Sequence, residues 1–307
     1  MSLNANYKLL KKIKDDRFDE EKLHQYRLLV QIGVRDFQVA VVAESDQRLL
    51  FFEDYILNDL NSYSEQLAVM KGLFEAHPVL QAGFWKEVKF SIKNNKFIQI
   101  PTTLFLSSAT ADYLKFNAAI DPATEVVMHC ENLSLNVTTV FAAQKELVEW
   151  LKSIYQNTQL HFFHQSSALI QGVAMSAHTK GHPLYIYVDR FKLHILAFQG
   201  GQLLFYNQFL IKQFSDYVKY IMLVMKNLNM DQQTSEVVLW GYIGKNSPHY
   251  LEFVKYIRNV SFGERPKHLT FGYLFDELQE HHFFDIYSID LLTAYWHEAC
   301  STFSRIV

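Results

Sequence analysis

The 307-residue chain has few of the residues that would identify a fold or a function by themselves. Only two cysteines occur, Cys130 and Cys300, so we expect no disulfide framework and predict that both thiols are buried or half-buried. The formal net charge of −3 gives no overall basic field, which argues against a nucleic-acid partner. No run of about 18 apolar residues is present, so no transmembrane segment is predicted. The N-terminal stretch lacks the apolar core of a signal peptide, and the expected location is the cytoplasm.

Sequence motifs of catalysis are also missing. The chain contains neither the Gly-x-Ser-x-Gly of a nucleophile elbow nor a Walker phosphate loop. His161 and His164 lie at the end of a predicted strand, where side chains three residues apart face opposite sides of the sheet. His281 and His282, with Asp285, have no further ligand at a recognisable spacing. We therefore predict no metal site and assign no catalytic residue.

The composition is that of a folded protein, with 49% hydrophobic and 20% charged residues, and one pattern in the sequence occurs twice. Each copy consists of three short strands rich in β-branched and aromatic residues, followed by a helix. The predicted strands are residues 28–31, 37–42 and 49–53 in the first copy, and 184–188, 191–198 and 203–209 in the second. The first helix begins at Ser62, where Glu65 completes a capping box, and the second begins at Ser215, where the apolar residues change to helical spacing. The chain is thus predicted to contain two β-β-β-α units of an α/β fold.

The same pattern predicts the domain organisation. The predicted segments are a charged N-terminal arm (residues 1–25), a first lobe (26–165) with a small inserted β-rich subdomain (88–142), and a second lobe (166–307). The insertion is predicted to begin with a hairpin, because strands at 88–92 and 96–100 flank the turn residues Asn94 and Asn95.

Four stretches carry a family resemblance, and together they span most of the chain from Phe18 onward. They are FDEEKLHQYRLLVQIGV, IPTTLFLSSATADYLKFN, GGQLLFYNQFLIKQFSDYVKYIMLVMKNLNMD and HHFFDIYSIDLL. With them the sequence resembles an uncharacterised bacterial family, a domain of unknown function, that is assigned the actin-like ATPase fold. Actin, sugar kinases and the cell-division and pilus-assembly ATPases share that fold. The resemblance implies duplicated ribonuclease-H-like lobes, each a sheet flanked by helices, and it brings no activity with it.

The resemblance implies a nucleotide cleft between the lobes, and five residues occupy its binding positions. Active members of the superfamily place an Asp and then a glycine at the end of the first strand, where they organise magnesium and approach the phosphates. Here Gln31 stands at the Asp position, and Gly33 remains. In the second copy Asp189 is in place. Gly241 and Gly244 match the glycine turn that contacts adenosine, although the glycine pattern there is weak.

Two departures from the superfamily pattern predict that the chain is not a competent ATPase, so no cofactor is assigned. The neutral amide of Gln31 cannot supply the charge that a hard cation requires. Arg190 and Phe191 stand where glycines would let the backbone close on a phosphate. The resemblance then implies a protein-interaction scaffold that binds a protein partner or associates with itself. The insertion carries apolar residues that could make such contacts or could pack it onto its own lobe, namely Phe97, Ile98, Leu104 and Phe105, beside Pro101.

Two alternatives keep an activity for this cleft. In the first, the chain is a nucleotide-binding ATPase or a sugar-kinase-like phosphotransferase that uses ATP and Mg²⁺. Asp189 would then serve the metal, and Gly33, Gly241 and Gly244 would line the nucleotide. In the second, the chain is a nuclease of the ribonuclease-H type. That chemistry needs several acidic residues at one metal site, and the predicted strands offer chiefly Asp189.

Overall fold

The two predicted β-β-β-α units are present in the computed structural model, which describes residues 6–58, 60–177, 182–190 and 192–293. Phe191 and Cys300 lie outside the described residues. The strands are β1 (Tyr7–Lys14), β2 (Tyr26–Gly33), β3 (Asp36–Ala43), β4 (Arg48–Leu57), β5 (Glu87–Lys93), β6 (Phe97–Pro101), β7 (Glu125–Asn132), β8 (Val137–Gln144), β9 (Gln159–His164), β10 (Leu184–Val188), β11 (Lys192–Gln199), β12 (Gln202–Leu210), β13 (Glu236–Gly241), β14 (Asn259–Phe262) and β15 (Thr270–Phe271). The α-helices are α1 (Tyr63–Ala76), α2 (Pro78–Gln81), α3 (Thr110–Lys115), α4 (Lys145–Ile154), α5 (Gln165–Ser176), α6 (Ser215–Asn227), α7 (Pro248–Tyr256) and α8 (Phe284–Ser288). Among the described residues, no helix is long and apolar enough to cross a membrane.

The two main sheets share one topology. The first sheet has the order β1-β4-β3-β2-β5-β9, and the second has the order β12-β11-β10-β13-β14. In both, three consecutive strands form an antiparallel meander, and the first strand of the meander then pairs with a parallel strand after a helix. The segment β4-β3-β2-β5-β9 therefore corresponds strand by strand to β12-β11-β10-β13-β14. This correspondence confirms the predicted duplicated α/β lobes.

Local sequence signals position the helices that cover these sheets. The Ser62 Oγ accepts a hydrogen bond from the Glu65 backbone N–H over 3.2 Å, and the Glu65 carboxylate accepts one from the Asn61 N–H over 2.8 Å. Helix α1 thus begins at the predicted Ser62 N-cap, and the Glu65 carboxylate bonds back to the residue before the cap instead of to Ser62 itself. Its apolar face, which includes Leu67 and Phe74, is buried in the core of the first lobe. Helix α6 buries its own apolar face on the second sheet in the same way.

The predicted hairpin at the start of the insertion is wrong. Strand β5 pairs in parallel with β2 and β9 in the first sheet, whereas β6 pairs with β8 in a separate three-stranded sheet of order β6-β8-β7. The side chains of Val88 and Ser91, which point to opposite faces of the sheet, are both fully buried, as suits a central strand covered on both faces. Asn94 stabilises the turn in which the chain passes from the first sheet to the three-stranded sheet. Its side chain donates to the Ala142 carbonyl and accepts from the Lys96 N–H.

Both ends of the described chain join the first sheet. Strand β1 lies within the predicted N-terminal arm and pairs antiparallel with β4. Strand β15 pairs in parallel with β4, and the side chains of Ile286 and Tyr287 in α8 pack in one core with Phe52 of β4. A segment predicted to belong to the second lobe therefore covers the first sheet. The lobe boundary at 165/166 stays a prediction.

Candidate functional site

The register of the parallel strands brings the predicted site to one edge of each sheet. In the first sheet Gly33, at the end of β2, lies opposite Lys93 at the end of β5. In the second sheet Val188, at the end of β10, lies opposite Gly241 at the end of β13. The carboxyl ends of neighbouring parallel strands share an edge, which is where α/β proteins place ligand clefts. The two edges meet in one cleft, because side chains from both contact each other there.

Lys93 lies at the centre of this cleft. Its buried ammonium donates to Asp189 Oδ1 over 3.0 Å and also bonds to a carboxylate oxygen of Asp36. Asp36 begins β3 and Asp189 follows β10, so a single lysine joins the equivalent turns of the two repeats. Burial opposes the charge of Lys93, but the two carboxylates outweigh it and raise the pKa of Lys93 above its ordinary value. In the same way the ammonium outweighs burial at Asp189 and holds the pKa of that carboxyl well below its usual range.

A second ion pair closes the cleft beside the first. The guanidinium of Arg190 bonds to the Asp54 carboxylate of β4 and lies 4.0 Å from Asp36 Oδ2. It also stacks over the ring of Tyr242, 4.4 Å from the ring centroid. Burial raises the pKa of Asp54, and Arg190 opposes that rise. Arg190 therefore fills the space beside the second turn with its own side chain.

Gln31 belongs to a buried network centred on Asp285. The Gln31 Nε2 donates to Asp285 Oδ2 over 2.6 Å, and the Tyr187 hydroxyl donates to Asp285 Oδ1 over 2.5 Å. The Nε2 of Gln165, at the start of α5, donates to Asp285 over 2.8 Å and to Asp189 over 3.1 Å. Asp285 is completely buried, so these three donors compensate for its lost hydration. The network links Gln31 of the first repeat to Asp189 of the second.

A cavity of about 350 Å³ opens beside Lys93. Its lining includes both turns, and Lys192 is a further cation in it. Burial lowers the pKa of Lys192, and that lysine makes no ion pair within 4 Å with the described residues. The open part of the cleft thus carries mixed charge, with Lys93 and Asp189 already paired at its inner end.

One family model, described as "Protein of unknown function (DUF3822)", matches residues 15–260. The chain belongs to this family. The match covers both meanders, the insertion and the cleft residues Gln31, Lys93 and Asp189, while Asp285 lies beyond it. A comparison with curated proteins finds no match.

Two solved structures resemble the family member described here. One is a protein with actin-like ATPase fold and unknown function from Bacteroides thetaiotaomicron VPI-5482, with a TM-score of 0.74 and 22% sequence identity over 90% of this chain and 99% of that chain. The other is a PilM-PilN type IV pilus biogenesis complex, with a TM-score of 0.55 and 11% identity over 86% of this chain and 97% of that chain. At these identities the likeness shows the fold, which is the actin-like ATPase fold that the sequence resemblance implied.

The structure brings four of the five predicted site residues together. Gln31 and Asp189 share the network around Asp285, and Gly33 lines the same cavity as Asp189. Gly241 pairs with Val188, the residue before Asp189, in the second sheet. Gly244 instead lines a separate depression with Gln279 and His281. Which of these residues bind a ligand stays a prediction.

Most of the charged residues of the cleft were not predicted from the sequence. Chiefly Asp189 was expected there, but the structure also brings Asp36, Asp54 and Asp285 to the cleft, each held by a cation or by amide and hydroxyl donors. Among the described residues, no group of three or more His, Cys, Asp or Glu side chains could hold a metal ion. Lys93 could have been identified as a site residue from the sequence, because a lysine at the end of the buried strand EVKFSIK requires a partner.

Proposed function

We propose that this chain is an actin-like-fold protein that does not hydrolyse nucleotide and acts by binding another protein. The position of Lys93 is the observation that supports the first part of this proposal, the absence of nucleotide hydrolysis. Its ammonium lies between Asp36 and Asp189, the carboxylates of the two turns that face each other across the cleft. A buried carboxylate that already has a buried cation loses that partner if a metal ion takes its place.

A magnesium–nucleotide group does not fit the residues present. Magnesium prefers carboxylate and phosphate oxygens in octahedral geometry, and Gln31 points an amide N–H₂ at Asp285 instead of offering a free carboxylate. On the opposite turn, Arg190 is bound to Asp54 and Tyr242. Neither turn therefore offers the free backbone approach and open acid that phosphate chemistry uses.

The same contacts support a closed arrangement that needs no ligand. Lys93–Asp189 and Arg190–Asp54 each join a strand of the first sheet to the turn after β10 of the second sheet. In a nucleotide-dependent cleft, the ligand supplies the contacts that hold the two sides together. Here the side chains of the protein supply them, which supports a fixed scaffold.

We expect isothermal titration calorimetry of the wild-type chain with ATP and MgCl₂ to give no specific binding, with any Kd weaker than about 1 mM. The physical reason is that binding has to break the buried Lys93–Asp189 pair. A magnesium-dependent Kd in the micromolar range, abolished together with turnover by Asp189→Asn, would instead establish the ATPase alternative.

The insertion offers a surface for the protein partner. Leu104, Leu106 and Phe116 are exposed, Phe116 to 90%, and the Tyr113 hydroxyl joins two of them by bonding to the Leu104 carbonyl and the Leu106 N–H. Of the four apolar residues that the sequence analysis left open, Leu104 is exposed, Phe97 is buried in the core of the first lobe, and Ile98 and Phe105 pack in the core of the insertion. Exposed apolar side chains within one short segment are typical of protein contacts. The PilM-PilN structure is itself a complex of two proteins, which is consistent with this use of the fold.

Replacing Leu104, Leu106 and Phe116 together by serine is expected to reduce the recovery of a specific partner at least about tenfold in quantitative pull-downs from native lysate, because apolar anchors dominate such interfaces. Phe84→Ser is the matched control, since Phe84 is equally exposed but lies outside the insertion. Deletion of residues 88–142 is unsuitable because it removes the central strand β5. Equal recovery by the triple variant and the control would refute this surface.

A further inference from the structure

The exposed sheet edges of the protein differ in how well they are protected against pairing. A free strand edge attracts another strand, and proteins usually block it with charged residues, proline or short length. Edge strand β1 carries four lysines in eight residues, at positions 8, 11, 12 and 14. Edge strand β14 has only four residues, and β6 ends in Pro101. These edges therefore resist pairing with another chain.

Strand β12 lacks these protections. It is the outer strand of the second sheet, and within the described part of the chain no strand pairs with its free side. Its nine residues, QLLFYNQFL, contain no charged residue and no proline. Leu204 and Leu210 stand 54% and 57% exposed on it. A bulge in its pairing with β11 lies near Leu204, so residues 205–210 form the regular part of the edge.

We propose that β12 is a self-association edge, at which two copies of the chain pair antiparallel about a two-fold axis at Asn207. A second copy of the chain can pair with β12 because the strand is uncharged, so no like charges come to lie opposite each other. An axis at Asn207 places Leu204 of each copy opposite Leu210 of the other, so both exposed leucines become covered. Such an isologous contact uses the same surface twice and closes as a dimer. The second sheets of the two copies then form one continuous sheet of ten strands.

Leu210 also lines the cavity beside Lys93, but the proposed function rests on the ion pairs of the cleft and on the insertion, so a failure of this proposal leaves it unaffected. A single strand pair buries little area, and we expect a dimer with a Kd of about 10–100 µM. Sedimentation velocity from about 1 µM to about 1 mM measures this equilibrium. A wild-type chain that stays monomeric over the whole range would overturn the proposal.

Two double variants test the register. Leu204→Lys with Leu210→Lys places two ammonium groups opposite each other at both ends of the pairing and is expected to give a monomer. Leu204→Lys with Leu210→Glu places opposite charges there and is expected to restore the dimer, with an affinity that falls as salt rises. Leu223→Lys on α6 is the control for an added surface lysine and is expected to leave the dimer intact. A dimer that persists in the double-lysine variant, or a charge-swapped variant that stays monomeric, would contradict pairing about Asn207.

Discussion

Replacing Lys93 by methionine is expected to lower the free energy of unfolding by about 3–5 kcal/mol, because it leaves Asp36 and Asp189 buried without their shared cation. Methionine keeps most of the volume of the lysine stem, so the change isolates the charge from the packing. The two carboxylates would then also repel each other. Urea unfolding at neutral pH, followed by circular dichroism, measures the difference.

The same variant should gain stability as the pH falls. Without the ammonium, burial is left as the dominant influence on Asp36 and Asp189, and it raises their folded-state pKa values above those of the unfolded chain. A raised folded-state pKa stabilises the fold below the unfolded pKa, and this stability is lost as the pH rises through the folded pKa. The variant should therefore be more stable near pH 5 than near pH 8. In the wild type, Asp189 contributes in the opposite direction, since its pKa is depressed and its stabilisation is lost only on strong acidification.

Lys192→Met is the matched control for these measurements. Lys192 lines the same cavity, but it makes no ion pair with the described residues, and burial already lowers its pKa. Removing it should change the free energy of unfolding by less than about 1 kcal/mol. If Lys93→Met were no more destabilising than Lys192→Met, the ion pairs of Lys93 would not hold the cleft together, and the main support for an inactive cleft would be lost.

The elements that the sequence predicts correctly are those with local signals. Ser62 with Glu65 marks the start of α1, and the two meanders follow from alternating apolar and aromatic residues between turns. The Asn94-Asn95 pair predicted the wrong strand pairing, because turn residues indicate that the chain bends but not which sheet receives the next strand. Strand β5 enters the first sheet because its burial on both faces outweighs the local hairpin signal.

The site was harder to predict than the fold because its contacts are long-range. Lys93 and Asp189 are 96 residues apart, and Gln31 and Asp285 are 254 residues apart. The departures from the superfamily pattern at Gln31 and Arg190 were visible in the sequence. The lysine shared by two carboxylates was not visible, because it depends on the register that places Lys93 opposite Gly33. That register follows only from the assembled sheet.

Gly241→Ala is expected to cost at least about 3 kcal/mol of folding stability, because the backbone at this position excludes a side chain. Gly241 has a φ of +93°, a region that L-residues rarely adopt, and an added Cβ would lie 2.1 Å from the Val188 carbonyl oxygen. The next residue fixes this close approach, since the Tyr242 N–H donates to that same oxygen over 2.7 Å. Urea unfolding of the purified variant measures the loss.

Gly244→Ala, at the other glycine of the same predicted adenosine turn, provides the comparison. The nearest atom to an added Cβ there is the Gln279 Oε1 at 3.7 Å, an ordinary contact, so the change should stay within about 1 kcal/mol. A large difference between the two variants would mean that strand packing requires Gly241, whatever the cleft binds. The glycine then has a structural cause and carries no weight as a sign of nucleotide binding. Equal and small effects would leave Gly241 without a packing role, and contact with a nucleotide would again explain it best.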